Sequence, residues 1–221
     1  MASDGRTMRL YKIIRDDRGA SMVEFSIIVS LFFVVLFGLI EFSLALYQWN
    51  SATKAVQLGA RLAAVSSPVW GELTNMSLVG AGENIGDPVT AYSTVCVGST
   101  STCTCTGARC PNSDTYDSAA MNVLVYGRDA DLACGNVGAG GFLGMCDVYN
   151  PITPANVIVT YDNSGLGFVG HPAGAVPTIS VVVTGMSYQF IFLSGLLGFG
   201  ITSMPDFKVT MTGEDLNLAA P

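Results

Sequence analysis

Charge is scarce in this chain, and histidine scarcer still. Asp, Glu, Lys and Arg make up 12% of its 221 residues, about half the share found in soluble domains. His171 is the only histidine, so the HExxH zinc motif is excluded. A Ser–His–Asp site would have to use His171, which lies in the Gly/Pro-rich segment GHPAG with no GxSxG elbow beside it. It reads as a plain loop histidine. GNVGAGGFLG, residues 135–144, lacks the Lys-Ser/Thr of a P-loop and the spacing of a dinucleotide fingerprint, so it too reads as loop. With no catalytic set, cofactor site or metal site expected, the chain is not read as an enzyme.

The few charges are unevenly placed. Residues 1–19 hold Arg6, Arg9, Lys12, Arg15 and Arg18 against Asp4, Asp16 and Asp17, net +2. The remaining five basic and fourteen acidic residues give −9. Half of all Lys and Arg thus precede an apolar run, residues 25–40, that holds no charge at all. The positive-inside bias puts the N-terminal end in the cytoplasm and the rest beyond the membrane. An acidic exported part argues against nucleic acid as a partner.

Sixteen residues are short for a bilayer, which needs about 20. The pattern continues, however, through Leu44, Ala45 and Leu46 to Tyr47 and Trp49, whose rings suit a membrane–water boundary. A span over residues 20–46 would place Glu24 and Glu41 near its edges, about 25 Å apart along a helix. Glu41 then has two readings, an interfacial carboxylate or a buried contact to a neighbouring subunit. Residues 51–65 extend the helix without proline, with Ala55, Val56, Leu58, Leu62 and Ala63 as an apolar stripe broken by Gly59. Ser66, Ser67 and Pro68 stop it. The whole helix would be about 70 Å long. Its outer half is marginal alone and needs a sheet or other subunits over its stripe.

The six cysteines, Cys96, Cys103, Cys105, Cys110, Cys134 and Cys146, all follow that segment. An even number in an exported region reads as disulfides, with fifteen pairings open. Cys103, Cys105 and Cys110 are also near enough in sequence to ligate a metal, the less favoured reading. Residues 69–116 read as loops held by disulfides, with a short strand at 89–97. Asp117 caps and Gly127 ends a short helix, and residues 131–150 form a second loop. Residues 155–212 read as sheet: one run at 157–161, a long one at 178–192, and a half-buried strand where Phe207, Val209 and Met211 alternate with Lys208, Thr210 and Thr212. The 12-residue apolar run 190–201 is too short to span a bilayer and reads as core or as a membrane-facing hairpin tip.

Several pieces of the N-terminal stretch resemble the TadE-like minor pilins, or pseudopilins, of the Tad/Flp pilus. They are Arg18-Gly19-Ala20, Val23-Glu24-Phe25, Phe37-Gly38 with Glu41-Phe42, Ala45-Leu46-Tyr47, and Gly59-Ala60-Arg61 followed by Ala63-Ala64-Val65. Ser30 departs from the pattern, since the family often has a helix-kinking proline there. The order of elements after residue 118 is similar as well, although the loop with four clustered cysteines is a departure.

The resemblance implies a prepilin, cut by a membrane aspartic prepilin peptidase between Gly19 and Ala20, with Glu24 fifth in the mature chain. A small residue at the cut gives the protease access. A carboxylate in the first helical turn would be favoured by the helix dipole. Glu24 could also pair with the new α-amino group of a neighbouring subunit, and Glu24 and Glu41 are the candidate subunit contacts.

The expected fold is α+β and pilin-like, a long transmembrane helix whose outer half packs on a small antiparallel sheet with disulfide-held loops. Its parts would be a cytoplasmic leader at 1–19, the long helix at 20–67, a loop-rich cysteine region at 68–150 and a β region at 151–221. Expected partners are the prepilin peptidase, Tad pilus assembly proteins, other pilin subunits and the lipid bilayer. The expected location is the inner membrane, single-pass, with the C-terminal domain periplasmic or extracellular and available to the pilus. The alternative is an uncut, single-pass anchored domain for binding or adhesion.

Overall fold

A computed structural model describes residues 19–77, 79, 82–111, 114–128, 132–135, 142–170, 176–198 and 200–213. His171, Arg18 and the rest of the leader, and residues 131 and 136–141 of the 131–150 glycine loop lie outside the described residues. The architecture is α+β, with a long apolar N-terminal helix, an antiparallel sheet of five strands and three disulfides. Two compact units can be distinguished. One comprises residues up to 45 with Gln189–Gly200, the other Leu46–Tyr188 with the residues from 201 onward.

Helix α1 runs unbroken over Ala20–Val65, 46 residues. No proline occurs in it, and at Ser30 the hydroxyl donates back to the Ser26 carbonyl at 2.7 Å. Ser26, Ser43 and Thr53 bond back one turn in the same way. Each hydroxyl is satisfied within the helix, which is how a serine sits in an apolar segment without an unpaired polar group. Ser66 donates to the Leu62 carbonyl to close the last turn, and Pro68 prevents another.

In the first unit the large side chains of α1 face outward, among them Phe25, Ile28, Leu31, Phe32 and Leu39. Among the described residues α1 is the one helix long and apolar enough to cross a membrane, and none of its most apolar stretch is buried by protein. The same unit holds a short helix over Phe192–Leu197, ended by Gly198 with φ 72°.

In the second unit, residues 46–65 of α1 bury Ala52, Ala55, Val56, Ala60, Ala63 and Ala64 in the core. The stripe is rotated from the expected one, because Leu58 is only half-buried and Leu62 sits at the core's margin. The alanines let the helix axis come close to what covers it. Each buried methyl contributes about 0.8 kcal/mol, so closeness rather than side-chain bulk sets the packing. Trp49 meets Phe207 edge to face, ring centroids 4.9 Å apart. At Gly59 an added Cβ would collide with the Met145 side chain, its Cγ 2.8 Å away, and Met145 is itself fully buried.

The second unit holds a five-stranded sheet whose strands lie in the order Thr102–Gly107, Tyr92–Val97, Val157–Leu166, Val176–Val183 and Phe207–Thr212, all neighbours antiparallel. Its strands are β1 Tyr92–Val97, β2 Thr102–Gly107, β3 Val157–Leu166, β4 Val176–Val183 and β7 Phe207–Thr212. Two shorter strands, β5 Ser187–Gln189 and β6 Ile201–Ser203, pair separately. Registers place Cys103, Cys96, Val159, Val181 and Val209 in one row across the sheet. Tyr161 sits in the next row beside Ile179, and its hydroxyl accepts a bond from the Val69 N–H at 2.9 Å. Burial pushes the Tyr161 phenol well above its ordinary value and that of Tyr92 up to about 12.

Two expectations need correction and a third holds. The cysteine-rich stretch is not loop: β1 and β2 form a hairpin at the sheet's edge, because pairing its cysteines turns a polar-looking sequence into a buried row. β1 falls within the strand expected at 89–97, and β2 is the strand added to the sheet. The long run 178–192 is not one strand either. Gly185, at φ 72°, breaks it after β4, and β5 leaves the sheet to pair with β6. The helix after Asp117 does form over Ser118–Tyr126, with the Asp117 carboxylate accepting from the N–H groups of Ala119 and Ala120 and Gly127 as the C-cap.

The Gly59–Met145 contact is testable in the detergent-solubilised full chain. Gly59→Leu should destabilise the second unit by about 1–3 kcal/mol through overpacking, read as a lower denaturant midpoint. Adding Met145→Ala should recover part of that loss.

Candidate functional site

The helix start is defined by one bond: the Gly19 carbonyl accepts from the Val23 N–H at 3.2 Å. Gly19 therefore occupies the capping position, and Ala20 is the first helical residue. Both are exposed, as is Glu24. Glu24 is the fifth helical residue, and no acidic side chain lies in the first turn. The expected dipole stabilisation is corrected accordingly, because that effect fades beyond the first turn.

Glu41 is a different case. It sits within the apolar half of α1 and is 1% exposed. One of its carboxyl oxygens, Oε1, accepts from two consecutive backbone N–H groups, those of Ile191 and Phe192, the latter at 3.1 Å. These donors open the helix at Phe192–Leu197, where N–H groups have no partner in their own helix. One turn along α1, the Phe37 ring stacks on Phe192, centroids 5.0 Å apart and planes 12° apart. Glu41 thus ties α1 to its own chain 150 residues later. Neither sequence reading of Glu41 contained that partner. A signal was available: a lone carboxylate in an apolar helix needs a donor, and residues 190–201 form the other long uncharged apolar run.

The six cysteines form three disulfides: Cys96–Cys103, Cys105–Cys110 and Cys134–Cys146. The first joins directly opposed residues of β1 and β2. The second ties β2 to the turn after it. The third closes a 12-residue separation that ends one residue past Met145, worth on the order of 3 kcal/mol in the chain-entropy model. All three sulfurs of the Cys103, Cys105 and Cys110 set are taken up in this way. The disulfides brace the second unit.

The family model described as TadE-like protein matches residues 19–61. Residues 19–61 are thus similar to that family. The match begins at the capping glycine and takes in Glu24, Phe37-Gly38, Glu41 and Gly59-Ala60-Arg61. The match is confined to the N-terminal helix, whose apolar part is long enough for a single membrane span. No curated protein and no solved structure matches the chain.

Replacing Glu41 separates its hydrogen-bonding from its bulk. In Glu41→Leu, backbone amide exchange at Ile191 and Phe192 should accelerate about tenfold or more, since such bonds contribute about 1.5–3 kcal/mol. Glu41→Gln keeps an acceptor oxygen and should retain part of the protection. Equal exchange in Glu41→Leu and the unaltered chain would remove the role.

Proposed function

We propose that this chain is a minor pilin made as a precursor, cut between Gly19 and Ala20 by a membrane prepilin peptidase, and used in Tad pilus assembly. The observation that carries the reading is a coincidence of boundaries: the TadE-like match and helix α1 both begin at the same glycine junction. The bond to be cut is exposed and lies at the start of the helix. A peptidase can draw it into an extended conformation by unwinding one turn, without disturbing the apolar segment.

Two physical changes follow the cut. Removing residues 1–19 takes away five basic side chains, the feature that holds the precursor's N-terminus on the cytoplasmic side. It also creates an α-amino group at Ala20, which is charged at neutral pH. Glu24 is exposed four residues further on. Paired with the Ala20 amine of an adjoining subunit, it would remove two unmatched charges from an apolar bundle and set the register between helices. In this account the protein waits in the inner membrane with its disulfide-braced unit on the periplasmic side, then meets other pilin subunits and the assembly proteins.

Intact-mass measurement on protein extracted from membranes tests the proposal. With the peptidase present, the mature chain should begin at Ala20, and Gly19→Leu should leave the precursor intact. A chain that keeps Met1 in the presence of active peptidase would instead support an uncut anchored domain.

A further inference from the structure

We propose that residues 190–198 form a second membrane contact, a hairpin tip that enters the outer leaflet beside α1, with Glu41 as the in-membrane latch that satisfies its backbone. The inference rests on the reading that α1 spans a bilayer.

Depth along α1 comes from the helix rise. With Glu24 near one edge of the hydrocarbon, Glu41 lies about 25 Å further, near the other. Phe37 is one turn, about 6 Å, deeper than Glu41. Phe192 stacks on Phe37, so the short helix that it begins starts below the level of Glu41.

The composition of the tip matches that level. No charged residue occurs from 187 to 205. Ile191 is 68% exposed and Phe192 47% exposed, and both lie in the unit that holds the apolar half of α1. A lipid phase covers such a surface without cost, whereas water does not.

The backbone supplies an independent argument. Non-helical chain is tolerated at membrane depth only where protein satisfies its polar groups. At this tip the entering N–H groups of Ile191 and Phe192 both go to Glu41. At the other end, Gly198 turns left-handed and donates to the Ser194 carbonyl, while the Ser194 hydroxyl donates to the Ile191 carbonyl at 3.2 Å. A carboxylate in the hydrocarbon is costly unless it has donors, and first-turn N–H groups are costly unless they have an acceptor. Glu41 and the tip meet each other's requirement, which an aqueous loop would not need.

Lipid-phase quenching tests this in the full chain reconstituted into phosphatidylethanolamine–phosphatidylglycerol vesicles with brominated acyl chains. Trp49→Phe is the common background, leaving Trp70 buried in the second unit. Ile191→Trp and, separately, Phe192→Trp report on the tip, Phe32→Trp on the spanning helix, and Val95→Trp on the sheet. The tip variants should lose intensity to the same extent as Phe32→Trp, and Val95→Trp should lose none. If Phe32→Trp is quenched and both tip variants behave like Val95→Trp, the inference fails while the spanning reading stands, whether water or a second copy of the chain covers the tip. If Phe32→Trp also escapes quenching, the spanning reading fails and the inference falls with it.

Discussion

An apolar helix surface must be covered, and α1 carries two kinds of surface along one continuous backbone. Over residues 20–45 it shows large aliphatic and aromatic side chains facing outward. Over residues 46–65 it shows alanines, buried in a protein core. The change from bulky to small is the physical basis of the molecule's organisation. Bulky groups suit a fluid solvent of acyl chains that conforms to them. Small ones suit a rigid sheet, where dispersion contact depends on close approach.

Glu41 lies close to that change. A carboxylate so near the end of an apolar stretch has to be satisfied in place, and the chain satisfies it with its own later backbone. The latch is built from two partners that would each be expensive alone. The same argument explains why the serines of α1 bond back to their own helix. These hydroxyls are satisfied one turn back, so they add no unpaired polar group to the apolar stretch.

How much of this could be read from the sequence depends on how far apart the interacting residues are. The helix was legible because its determinants are local: an uncharged run, no proline before Pro68, and serines just ahead of it. Asp117 and Gly127 marked a short helix for the same reason, and the alternation around Phe207, Val209 and Met211 marked a strand. Of the β1–β2 hairpin, β1 was legible as the strand expected at 89–97, but β2 was not, since TCTCTG looks polar until Cys96 and Cys103 are joined. The break at Gly185 hid inside a run that is apolar on both sides. The helix stripe was misjudged at Leu58 and Leu62 because hydrophobicity ranks leucine above alanine, whereas close packing on a sheet reverses the order. The place of Glu24 five residues after Gly19 could be counted off the sequence, but the partner of Glu41 lay 150 residues away and no local pattern points there.

The central claim is that a single helix is divided between lipid and protein at about residue 46. A lipid-dissolved carbene probe, photoactivated in membranes containing the full chain and mapped by mass spectrometry, tests it most directly. The account predicts label on the side chains of residues 25–46 and none on Ala52, Val56, Ala60 or Ala63. Label distributed evenly from Phe25 to Val65, or absent from the first half, would contradict it.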